Sequence, residues 1–185
     1  MRPLPLYLPL PLPLPSAVGL IAALVVAALA TPSAADLRVT FYEGAPKDRF
    51  RFENAGSCTL ADAAIRLDLS TSAAGLIFDV TEAGAGVEVF QPFQLVEAAD
   101  ALTARPLVRD GHTEIRMELN ALPPGQAIAF TIDVDDTRGQ RAITVSGSEI
   151  EGATVAYLQG GAETTGTFSD GARAVVPLSG CRPAS

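Results

Sequence analysis

Ile128-Ala-Phe-Thr-Ile-Asp-Val134 is the stretch that decides the fold. Its large apolar side chains fall at 128, 130, 132 and 134, with small or polar residues between them. Successive side chains of an extended chain point to opposite faces, so this period of two predicts a strand with one face in a core and one in water. A helix would need apolar residues three and four apart. The same alternation recurs in Leu37-Arg-Val-Thr-Phe41, Ile65-Arg-Leu-Asp-Leu69 and Ile115-Arg-Met-Glu-Leu119. Weaker versions lie at 50–52, 76–80, 87–93, 141–145, 154–158 and 174–178.

Turn chemistry separates these runs: Asn54-Ala-Gly56, Asp110-Gly111, Pro123-Pro-Gly125, Arg138-Gly139, Gly160-Gly161 and Asp170-Gly171. The segments 61–64 and 98–104 tolerate helix, but they are short and sit among strand signals. About nine or ten strands punctuated by turns predict an all-β domain: a single antiparallel β-sandwich, Ig-like or jelly-roll-like, over residues 36–185. With no Trp in the chain, the Cys-Trp-Cys core of antibody domains is absent.

Residues 1–35 have another character. Arg2 is the only charged residue before Asp36, a Leu/Pro tract runs from Pro3 to Pro15, and an apolar run follows from Ala17 to Ala30. That run is too short for a membrane span, which takes roughly 20 residues, and suits the apolar core of a signal peptide. Ser33 and Ala35 fit a signal-peptidase site with cleavage before Asp36; Ala28 and Ala30 offer a second site, and an uncleaved anchor is the alternative. The expectation is a signal peptide over 1–35 and a periplasmic or secreted domain after it. Without Arg2 the chain keeps 12 basic residues against 21 acidic ones, a net charge of −9. Nucleic acids and anionic membrane surfaces need a cationic footprint, so this balance argues against both. Two cysteines in an oxidising compartment point to one disulfide, Cys58–Cys181.

Residues that could carry chemistry are few. His112, the one histidine, follows Asp110-Gly111 in a turn, where a triad histidine would be poorly held. One His and two bonded Cys leave no zinc ligand set. Gly84-Ala-Gly86 opens no helix and lacks the dinucleotide fingerprint. The cluster Asp133-Val-Asp135-Asp136-Thr137 is more informative. Asp133 and Asp135 lie two apart on a predicted strand and share its outward face, and Asp136 starts the turn. Such carboxylates repel one another unless water screens them or a cation sits between them, and calcium takes ligands of this kind. Asp79, Glu82 or Glu88 would add oxygens if their loops reach the same end. The alternative is a solvated strand end with Arg138 offsetting part of the charge.

The stretches 37–50 and Glu53-Asn-Ala-Gly-Ser-Cys58, continued by 75–80, 84–93 and 130–137, resemble the aggregation factor core proteins, small exported proteobacterial proteins named after a sponge aggregation factor component. The resemblance covers about residues 36–158. It implies an extracellular adhesive or matrix-like role and adds weight to the acidic cluster as a cation site, and it brings no catalytic residues with it. Asn54-Ala-Gly56 and Leu122-Pro-Pro-Gly125 also resemble the Asn-x-Gly and Leu-x-Pro-Gly pattern of bacterial adhesion-related Ig-like modules. The expected function is therefore an exported, non-enzymatic binding or adhesion module with a protein or glycan surface partner and calcium at Asp133, Asp135 and Asp136. Two alternatives stand beside it: a periplasmic hydrolase using a non-local carboxylate pair, and an envelope protein that self-associates through an edge strand.

Overall fold

A computed structural model describes residues 35–81, 91–138 and 144–178. The chain divides into two units, Met1–Thr31 and Pro32–Ser185, and all described residues belong to the second. The signal-peptide expectation thus lies almost wholly outside them, as do Glu82, Gly84, Gly86, Glu88 and Cys181.

The domain is an all-β sandwich. Its strands are β1 (Ala35–Tyr42), β2 (Asp48–Asn54), β3 (Leu60–Asp68), β4 (Ile77–Asp79), β5 (Gln94–Glu97), β6 (Glu114–Leu122), β7 (Ala127–Asp135), β8 (Thr154–Gln159), β9 (Ala162–Thr167) and β10 (Arg173–Leu178). A 3₁₀ turn at Ala99–Ala101 is the only helical element among the described residues. One sheet runs β10-β1-β2-β7-β4, with β5 also paired to β7, and the other runs β6-β3-β8-β9. Every pairing is antiparallel.

The period-two residues face inward as expected. Leu37, Val39 and Phe41 of β1, Phe50 and Phe52 of β2, and Ile128, Phe130, Ile132 and Val134 of β7 are buried against Ile65, Leu67, Ile115, Met117 and Val155 of the smaller sheet. Register lines Phe41, Phe50 and Phe130 up across three strands. Their rings lie 5.0 and 5.3 Å apart, and Phe93 lies 4.8 Å from Phe130. Such pairs add about 0.5–1.5 kcal/mol each beyond burial.

Two devices join the sheets. Asn54 at the end of β2 is wholly buried and donates Nδ2 to Cys58 O (2.7 Å) and Leu122 O (2.9 Å), while its Oδ1 accepts from Gly56 N–H (3.0 Å). Gly125 N–H donates to Asn54 O. The Asn-x-Gly and Leu-x-Pro-Gly segments thus meet through one side chain. On the other side β9 packs against β10, where a Cβ on Gly166 would stand 2.3 Å from Val175 O. Only glycine permits that approach.

Two described strands were not expected. β9, Ala-Glu-Thr-Thr-Gly-Thr, shows no apolar alternation. It forms because Gly160 and Gly161, at φ 58° and 82°, make a two-residue hairpin turn with both residues at positive φ. β5 is four residues long and slips register at Val96. The expected strand at 87–93 lies mostly outside the described residues, and Gln91–Phe93 are not in a strand. The same holds for 141–145, of which Thr144 and Val145 are described and lie outside any strand.

Candidate functional site

The acidic cluster forms where β2, β4 and β7 end together. Asp133 is half-buried on the outward side of β7, and its cross-strand neighbour on β4 is Asp79. Asp135 lies two residues further on the same side, and its Oδ2 atom is enclosed from solvent. Asp136 follows β7, and the chain beyond it is tied back by Thr137 and Arg138 N–H donating to Ala74 O and by Thr137 Oγ1 donating to Gly75 O (2.7 Å). Asp133 and Asp135 thus share a face, as read from their spacing.

A fifth carboxylate at this end was missed. Asp48 opens β2 opposite Ile132 and is 2% exposed. Its Oδ1 accepts from Gly44 N–H (3.1 Å), and Val134 N–H also donates to the carboxylate, so the side chain closes the β1–β2 loop onto β7. Burial pushes the Asp48 carboxyl up to about 8; the Gly44 bond pulls the other way and the charges of Asp133 and Asp135 add to the rise. Burial, then the Asp135 and Asp79 charges, raise Asp133 to about 6 against the Val134 bond and Lys47. The signal that would have found Asp48 is parity, because it lies in phase with Phe50 and Phe52 and so points inward.

Among the described residues, no group of three or more His, Cys, Asp or Glu side chains is placed to hold a metal ion. Arg138 makes no ion pair with the cluster among these residues; Lys47 is the nearby cation, and its Nζ also donates to Pro92 O (3.2 Å) and Gln94 Oε1 (3.3 Å). Asp48 and Asp79 are both closed to a substrate, at 2% and 1% exposure. His112 is exposed in its turn, its carbonyl accepting from Phe78 N–H (2.8 Å). Cys58 lies in the loop beside Asn54, and no described cysteine is free.

A second surface was not singled out from sequence: the outward face of the larger sheet. Between the buried residues of β1 stand Arg38, Thr40 and Tyr42; of β10, Arg173, Val175 and Pro177; of β2, Arg49, Arg51 and Glu53. Register makes Thr40 the centre of a cross. Arg173 flanks it on β10, Arg51 flanks it on β2, and Arg38 and Tyr42 stand two residues away along β1. Tyr42 is opposite Arg49, and Val175 is opposite Arg38. Arg49 and Arg51 pair with Glu97 (3.1 and 3.5 Å), and Arg51 also bonds Glu53. Arg38 and Arg173 make no ion pair among the described residues. Tyr42 and Val175 are each 48% exposed.

The outward face of the smaller sheet differs. Arg66 pairs with Glu163 (2.5 Å) and Glu114 (3.8 Å), and Arg116 pairs with Glu118 (2.6 Å). No large hydrophobic residue is exposed on its strands.

No protein-family model matches the chain, and no curated protein does. Solved structures do. A biomass-sensing module from RsgI-like proteins of Clostridium thermocellum, described as resembling a family 3 carbohydrate-binding module of the cellulosome, is 13% identical over 70% of this chain and 95% of that chain, with a TM-score of 0.33. The CBM3a-L domain with flanking linkers from scaffoldin cipA of the same cellulosome is 15% identical over 72% of this chain and 91% of its own, with a TM-score of 0.30.

Proposed function

We propose that this protein is an exported, non-enzymatic binding module of adhesive type, in line with its resemblance to the aggregation factor core proteins, and that its contact surface is the outward face of the larger sheet. One observation carries the reading. That face exposes Tyr42 and Val175 beside two arginines that make no ion pair among the described residues, whereas the opposite face is laced with ion pairs and shows no exposed large hydrophobic side chain on its strands. Half-exposed aromatic and arginine side chains are the residue types that anchor interfaces. In this reading residues 1–35 are removed on export, Cys58 and Cys181 pair in the oxidising compartment, and the partner is a protein or glycan on a surface. Calcium at Asp133, Asp135 and Asp136 would act at the β7 end of this same face, by offsetting the crowding of carboxylates there.

Binding of labelled mature protein to whole cells tests the proposal. Tyr42→Ala/Val175→Ser should lose most of the bound label, and Arg116→Ala/Glu118→Ala on the other sheet should lose none. Equal binding by both variants would remove the face assignment.

One observation favours the hydrolase reading instead: Asp48 and Asp133, far apart in sequence, come together with raised carboxyl pKa values, as catalytic acids often do. Against it, Asp48 is enclosed and bonded to backbone N–H groups, so its raised value follows from a structural position.

A further inference from the structure

We infer that the cross of side chains around Thr40 is an oxyanion subsite, and that the ligand it takes is a carboxylate-bearing polysaccharide lying along β1 and β10. The inference rests on the proposed binding face and names its ligand class.

Directly opposed residues in an antiparallel pair stand about 4.5–5.5 Å apart at Cβ, and diagonal ones about 7–8 Å. Arg173 is directly opposite Thr40 and diagonal to both Arg38 and Tyr42. Two guanidiniums therefore flank one hydroxyl, with a third, Arg51, on its far side. Arg51 is committed to Glu53 and Glu97, but Arg38 and Arg173 have no carboxylate of their own among the described residues. Guanidinium forks match carboxylates in geometry and charge. The chain is acidic, with 21 Asp and Glu against 13 Lys and Arg, yet among the described residues these two arginines pair with no carboxylate; Glu53, which stands opposite Arg38, is bonded by Arg51 instead.

Three features favour a polysaccharide over a broad acidic protein surface. The face is regular antiparallel sheet, with Pro177, Val175 and Arg173 in one outward row and Asp36, Arg38, Thr40 and Tyr42 in the next. Tyr42 presents a half-exposed ring one step along the strand from the subsite, so a sugar ring can pack on it while a neighbouring unit's carboxylate sits over Thr40. The cationic strip is narrow: Asp36 and Glu53 border it on the face, and Glu43 follows Tyr42. A thin polymer can follow the strip, while a wide acidic surface would meet those carboxylates.

The test is affinity electrophoresis of the full mature protein in gels containing polygalacturonate or its methyl ester, which has the same backbone without the charge. Polygalacturonate should retard the protein, and the ester should retard it at least tenfold less. Arg38→Ala/Arg173→Ala should weaken polygalacturonate binding at least tenfold with an unchanged melting temperature, and Tyr42→Ala should weaken both polymers. Raising NaCl from 50 to 300 mM should weaken the wild type and leave the double variant little changed, as counterion release requires. Equal retardation by acid and ester overturns the oxyanion subsite but keeps the binding face, provided Tyr42→Ala still reduces it. Retardation by poly-glutamate alone assigns the arginines to an acidic protein and overturns the polysaccharide. Binding indifferent to Arg38, Arg173 and Tyr42 overturns both the ligand class and the face.

Discussion

Asp48→Asn should remove most of the pH dependence of stability. In the folded chain the Asp48 carboxyl titrates near 8, against an ordinary value of 3.8. Between these values the folded state holds a proton that the unfolded state has released. The stability this contributes is fully present below about pH 3.8 and is lost as pH rises towards 8. Each pH unit inside that window costs about 1.4 kcal/mol for one group. From pH 5 to pH 7 the loss is therefore about 3 kcal/mol, with no discount for screening because the side chain is 2% exposed. Asp133, raised to about 6, adds a smaller loss over the lower part of the range. With an unfolding entropy of about 2 cal/mol/K per residue, a domain of this size should melt about 5–10 °C lower at pH 7 than at pH 5.

The asparagine variant cannot ionise. Its side-chain oxygen still accepts from Gly44 N–H, but its amide cannot also accept from Val134 N–H, which costs about 1 kcal/mol. The variant should be slightly less stable than the wild type at pH 4 and more stable at pH 8, so the two curves cross. Scanning calorimetry in matched buffers at half-unit steps gives the answer. A wild-type melting temperature flat within 2 °C from pH 5 to 7, or a variant that keeps the full slope, would refute the reasoning.

Three further outcomes are expected. Asn54→Ala leaves the carbonyls of Cys58 and Leu122 without their Asn54 donor and should cost about 2–4 kcal/mol in denaturant unfolding, with Asn54→Asp no better because a carboxylate cannot donate. Gly166→Ala pushes a Cβ to 2.3 Å from Val175 O; it should cost about 1–3 kcal/mol and raise hydrogen exchange across β9 and β10 before it affects β3 and β6. If calcium sits at Asp133, Asp135 and Asp136, millimolar calcium raises the melting temperature at pH 8, EDTA reverses the rise, and the effect shrinks at pH 5, where Asp133 is already protonated; an unchanged midpoint at pH 8 with no heat of binding sinks that site.

The strands with clean alternation were legible because one face of each is core: Leu37, Val39 and Phe41, or Ile128, Phe130, Ile132 and Val134, can be buried together only in an extended chain. β9 was not legible. Its inward positions are Thr164 and Gly166, chosen for the close approach to β10, so no apolar pattern marks it. At the acidic end, Asp133 and Asp135 could be read as sharing a face from spacing alone. Asp48 could not be joined to them, because its place beside Ile132 depends on the β2–β7 pairing, some 80 residues apart in the chain. The outward face of the larger sheet shows the same limit. Arg38, Thr40 and Tyr42 are outward by parity, but Arg173 and Arg51 reach Thr40 only through the pairing of three strands.

Arginine footprinting tests the binding face most directly. Mature protein, free and bound to whole cells, is treated with phenylglyoxal and digested, and the modification of each arginine is read by mass spectrometry. Arg38 and Arg173 should be protected several-fold on binding while Arg116, exposed on the opposite sheet, stays equally reactive. Protection of Arg116 with Arg38 and Arg173 unchanged would place the contact on the wrong side of the sandwich and contradict the proposed face.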